Sequence, residues 1–129
     1  MIAIDLTEDS KKNFQEDGFL ILENFLEIQY ISNLIEKFSK LFSGDFETGI
    51  EPDEWNWRQG QDPENVTRQI CNAWKSDNLI KDLVCHEVLG KACAELMNWI
   101  GSRLLQDNVL WKPPGGKTLL YHQDAAYDD

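Results

Sequence analysis

RLLQDNVLWKPPGGKTLLYHQDA, residues 103–125, is where the chain changes its period. Upstream, apolar residues recur at three- and four-residue steps, the spacing of a helix face. Here two runs of strand length, 103–111 and 117–125, flank Pro113-Pro114-Gly115-Gly116, which neither a helix nor a strand can carry through its interior. The expectation is a β-hairpin closed by that turn. A mostly helical front leading into β structure makes the chain α+β.

Working back from the hairpin, Asp77 is placed to cap one long amphipathic helix that ends near residues 99–101. Its face carries Ile80, Leu83, Val84, Val88, Ala92, Leu96 and Met97, and His86 lies inside it. Residues 43–65 are polar, hold two prolines and show no sustained period, which predicts a long surface loop. Trp55 and Trp57 within it read as aromatic anchors that pin the loop to the body, in preference to a cleft lining. A second helix covers Ile28 to Phe42, with Gly44 at its C-cap. The apolar run 19–22, FLIL, is short, follows Gly18 and suits a buried strand. Thr7 followed by Glu8 and Asp9 opens the first helix, which runs to about Glu16. No linker divides the chain, so residues 1–129 are expected to belong to a single domain.

Composition removes several function classes. A formal net charge of -11 repels a phosphate backbone and an anionic membrane surface, so neither nucleic acid nor a membrane is an expected partner. The amino-terminal MIAIDLTEDSKK lacks a basic opening and an apolar run, and no spanning stretch of about eighteen apolar residues occurs, which leads to a cytoplasmic expectation. Cys71, Cys85 and Cys93 have no CxxC spacing and read as free buried thiols.

In a strand over 117–125, Thr118, Leu120, His122 and Asp124 would share one face. A neutral imidazole beside a hard carboxylate suits a divalent metal of intermediate softness, and with one more histidine it makes the facial triad of non-haem iron(II) oxygenases. His-x-Asp alone is a weak motif, and an ordinary hydrogen-bonded pair on a strand is the competing reading, so context has to decide.

The context is a resemblance. Residues 106–127, QDNVLWKPPGGKTLLYHQDAAY, are similar to the segment around the first two iron ligands in the phytanoyl-CoA dioxygenase-like family of iron(II)/2-oxoglutarate oxygenases. The matching features are Lys112-Pro113-Pro114-Gly115, His122-Gln123-Asp124 and Tyr127. Residues 13–26, NFQEDGFLILENFL, resemble the family's opening of a helix, Asp-Gly-Phe, a hydrophobic strand and a second helix. The resemblance implies His122 and Asp124 as ligands of Fe(II), and Lys112 and Tyr127 near the 2-oxoglutarate or substrate pocket. It implies no catalytic residue beyond the metal ligands, a double-stranded β-helix of the jelly-roll or cupin-like kind, and dioxygen with a small organic or acyl molecule as reactants.

The family's second iron-binding histidine and the arginine for the far carboxylate of 2-oxoglutarate follow His-x-Asp at a distance, and only five residues follow Asp124. His86 lies upstream inside a predicted helix and is not expected to be the third ligand. The double-stranded β-helix needs about eight strands, and the sequence supplies three or four. The expectation is therefore the N-terminal part of a phytanoyl-CoA dioxygenase-like domain, truncated after the His-x-Asp strand and inactive alone. The alternative is a non-enzymatic acidic interaction module or dimerising domain in which His-x-Asp is coincidental.

Overall fold

The structure, a computed structural model, describes residues 4–116 and 121–122. Helix α1, Glu8–Asp17, starts where Thr7 Oγ1 accepts the Ser10 amide at 3.1 Å and stops at Gly18, whose φ is 78°. Helix α2, Ile28–Ser43, ends at Gly44 with φ 84°. That glycine is required twice over. Its φ is costly for any other residue, and a Cβ there would meet the Trp55 ring at 2.7 Å.

Three short strands follow in the order β1-β2-β3, with β1 at Glu54–Trp55, β2 at Arg68–Cys71 and β3 at Asn108–Trp111. Both pairings are antiparallel. Trp55 faces Ile70 and Ile70 faces Val109, so these three side chains share one side of the sheet. That side packs with Leu34, Leu41 and Phe42 of α2, Trp57 and Ile80 into the core. Glu54, Gln69, Cys71, Asn108 and Leu110 occupy the other side, and of these Cys71 is buried.

The loop between α2 and β2 is held by its tryptophans, as the sequence suggests. Trp57 is 2% exposed, meets Phe42 edge-on with ring centroids 6.1 Å apart, and donates its indole N–H to Pro63 O at 2.9 Å. The Arg68 guanidinium lies 3.6 Å from the Trp57 ring centroid. Trp55 packs edge-on against Phe46 at 5.3 Å.

A polar corner joins β2 to the strand that pairs with it. Asn72 takes the left-handed conformation, φ 57°, and donates its amide to Asp107 O at 2.8 Å. Asp107 Oδ1 accepts the Trp74 amide at 3.1 Å at the start of a 3-10 turn, Ala73–Lys75. Its Oδ2 is buried without a partner among the described residues. Burial pushes this carboxyl above the ordinary carboxylate range, and the bonds from Trp74 and Ala73 oppose that rise only in part.

Beyond the corner, the predicted single helix is two: α3, Asn78–Val84, and α4, Glu87–Leu96. The break has a local cause. His86 adopts extended backbone, and its Nδ1 accepts the Val88 amide at 3.2 Å, so the side chain caps α4. Asp77 caps α3 by accepting from Leu79 and Ile80, and Lys37 of α2 reaches Asp77 and Glu47, both at 3.1 Å.

Two strand expectations are corrected. Residues 19–22 form no strand, and Ile21 is 75% exposed. Without a ladder partner an apolar run is only extended chain. The strand expected over 103–111 shortens to β3, and its observed partner is β2, a strand absent from the sequence reading. The other arm of the expected hairpin, 117–125, lies outside the described residues except for Tyr121 and His122, which are not in a strand. Among the described residues no helix is long and apolar enough to cross a membrane.

Trp57→Ala should cost about 3–5 kcal/mol through lost apolar contact and the cavity left behind, read as a large drop in the urea midpoint; a change below 1 kcal/mol would contradict the anchoring role of the loop tryptophan. Asp107 contributes a pH dependence of its own. Its folded pKa is raised, so the folded state holds this proton to higher pH than the unfolded state. The site's contribution to stability therefore declines as pH rises from the ordinary carboxylate value through the folded value and is level above it. Asp107→Asn keeps an acceptor for Trp74 and removes the titration, so the variant's melting temperature should gain on the native one across that window. Parallel melting profiles would contradict it.

Candidate functional site

Lys112 is the first residue after β3 and is exposed. By the alternation of the strand it continues the side carrying Asn108 and Leu110, the side turned away from the helices. The expected turn is present. Gly116 donates its amide to Pro113 O at 3.0 Å, and Gly115 has φ 74°.

His122 is exposed. Asp124 and Tyr127 lie outside the described residues, as does most of the expected strand. Among the described residues no three His, Cys, Asp or Glu side chains converge as metal ligands. The donor types nonetheless fit iron(II). One imidazole nitrogen and one carboxylate oxygen, two residues apart, match its intermediate softness, and an incomplete protein ligand set leaves coordination positions open.

The histidine upstream is accounted for differently. His86 Nδ1 is engaged by the Val88 amide, which agrees with a structural role for this residue. His86, Cys85 and Cys93 line a groove of about 880 Å³ along α4, together with Trp99, Ile100 and Arg103. Of the three thiols expected to be buried, Cys85 and Cys93 are free but exposed, while Cys71 is buried and its thiol is pushed up chiefly by that burial.

Sequence reasoning missed the polar pair on the open side of the sheet. Gln69 Nε2 donates to Asn108 Oδ1 at 2.9 Å, linking β2 to β3 across residues 39 positions apart. The Gln69 backbone amide is held by Asn56 Oδ1 at 2.8 Å, which extends the ladder beyond β1. Beside the pair, Leu110 is 59% exposed. The signal available was the alternation of Arg68, Gln69, Ile70 and Cys71, too short to stand out without its partner strand.

On the core side the cations are already committed. Arg68 pairs with Glu64 at 2.5 Å while stacked on Trp57, and Arg58 lies over the Trp55 ring at 4.7 Å. Lys75 pairs with Asp53 at 2.6 Å, and this ion pair together with the Asn72 amide holds the Asp53 carboxyl below its ordinary value. Lys112 stands exposed at the exit of β3.

No curated protein and no solved structure matches the chain. The family model described as phytanoyl-CoA dioxygenase (PhyH) matches residues 14–128. The matched stretch begins within α1, spans the sheet and includes Lys112, His122, Asp124 and Tyr127. With nearly its whole length matched, the chain belongs to the phytanoyl-CoA dioxygenase (PhyH) family.

Proposed function

We propose that the chain is the N-terminal part of an Fe(II)/2-oxoglutarate-dependent dioxygenase domain that, when complete, hydroxylates a small organic or acyl substrate. The observation that carries this reading is the family match running through residues 112–127, which holds the Lys-Pro-Pro-Gly turn and His-Gln-Asp in the order the chemistry needs. Bound iron would activate dioxygen against 2-oxoglutarate; the protein's part is to orient the substrate and exclude water. His122 and Asp124 would hold the metal. Lys112, exposed beside the open side of the sheet, would meet a carboxylate of the co-substrate, and Tyr127 would close the pocket near it.

Of the chain's two histidines, His86 has its Nδ1 engaged in capping α4, which leaves His122 as the proposed ligand. The three-stranded sheet with Leu110 exposed on its open side fits the same proposal, since the later strands of a double-stranded β-helix would cover that side. The protein is proposed to act in the cytoplasm.

Cobalt(II), followed by its visible absorption, serves as a redox-silent stand-in for iron. The 129-residue chain should show weak saturable binding, and His122→Ala should weaken it by about tenfold or more. Unchanged binding in the variant would remove His122 from the metal site. Succinate formation from 2-oxoglutarate with iron(II) should stay at background for this chain, and sustained turnover would contradict the proposal that ligands are missing.

A further inference from the structure

The groove of about 880 Å³ along α4 lies between that helix and the segment leaving its C-terminus. The sequence builds it locally. Asn98 takes the left-handed conformation, φ 55°, and turns the chain out of the helix, while the next residue, Trp99, still donates its amide to Ala94 O at 2.8 Å. By residue 102 the segment has doubled back: Ser102 Oγ donates to Gly90 O at 2.7 Å, about two helical turns above Asn98. Trp99, Ile100 and Leu105 line the groove as exposed apolar side chains. Neither Lys112 nor His122 lines it.

The charges of the groove single out one residue. Its acids are paired, Glu87 with Lys91 at 2.5 Å and Glu95 with Lys11 at 3.1 Å, and His86 Nδ1 holds the Val88 amide. The Arg103 guanidinium, by contrast, has no hydrogen bond or ion pair among the described residues, in a chain whose net charge is -11. A neutral apolar ligand laid over it would strand its donors, whereas a carboxylate takes two of its N–H groups in parallel. A phosphate dianion fits less well, because its second charge would add to the two carboxylates already lining the groove and to the field of the whole chain. Behind the cation, Trp99, Ile100 and Leu105 offer a surface for an apolar body, and the volume is that of a small-molecule cleft. We infer that this groove is a binding site separate from the proposed metal site, and that it takes a monocarboxylate with an apolar body, the head on Arg103 and the body along Trp99 and Ile100. The inference goes beyond the oxygenase reading and stands without it.

Octanoate tests it in the full 129-residue chain, followed by 1H–15N NMR at the Trp99 indole N–H and the Arg103 Nε–H. Acetate and 1-octanol serve as probes that carry only the head or only the body. Octanoate should shift both signals saturably and bind more tightly than either control by about tenfold or more. Arg103→Gln should bring octanoate down to the affinity of 1-octanol, and Trp99→Ala should weaken it by about threefold or more. Both residues are exposed, so the fold should survive each change. Cobalt(II) binding, read by absorption, should be the same in Arg103→Gln as in the native chain. Equal affinity for octanoate and 1-octanol, unaltered octanoate binding in either variant, shifts that fall on Lys112 and His122 in place of Trp99, or no saturable shift at all would each overturn the inference. Loss of cobalt binding in Arg103→Gln would overturn the separation of the two sites.

Discussion

The β2-β3 ladder is the constraint on which the rest of the structure depends. It joins Arg68–Cys71 to Asn108–Trp111, so the chain must close a loop of nearly forty residues before any of its bonds form. What makes closure favourable is the Ile70–Val109 pair. Both side chains are buried, and both lie on the side of the sheet that meets α2 and Trp57. Burial of apolar surface supplies the stabilisation, and the ladder satisfies the backbone groups which that burial would otherwise strand. With the sheet in place, one of its sides is committed to the core.

The polar corner at Asn72 and Asp107 fixes where the ladder begins. Each of these two residues donates its backbone amide to the other, Asn72 to Asp107 O and Asp107 to Asn72 Oδ1 at 3.3 Å. The Asp107 carboxyl then starts the 3-10 turn that leads to the Asp77 cap of α3. A single acidic side chain thus links strand, turn and helix. Lys37 completes the frame by tying α2 to Asp77 and Glu47. These contacts set the register of β3 and therefore which of its residues face away from the helices.

Local signals were legible in the sequence, and distant ones were not. Thr7, Gly18, Gly44 and Asp77 mark helix ends through bonds to residues at most a few positions away, and all four stand where the sequence places them. The break at His86 was hidden because the apolar period runs unbroken across it, while the deciding bond is one ring nitrogen taking one amide. FLIL at 19–22 shows the limit of composition, since apolar character alone does not supply a strand partner. β2 was missed for the converse reason: its partner lies about forty residues on, and four residues carry no period of their own. For the site, Lys112, the Pro-Pro-Gly-Gly turn and His122 could be named from sequence because the family's motif is contiguous. The hydrogen bond between Gln69 and Asn108 could not, because only the fold brings the two residues together.

The central claim is the proposal that His122 and Lys112 serve one site. Paramagnetic broadening by manganese(II) tests it most directly, comparing the native chain with His122→Ala so that adventitious binding by surface acids cancels. The account predicts that the difference falls on the signals of Gln69, Asn108, Leu110 and Lys112 and spares α1 and α4. A difference centred on His86, Cys85 and Cys93, or none between the two chains, would contradict it.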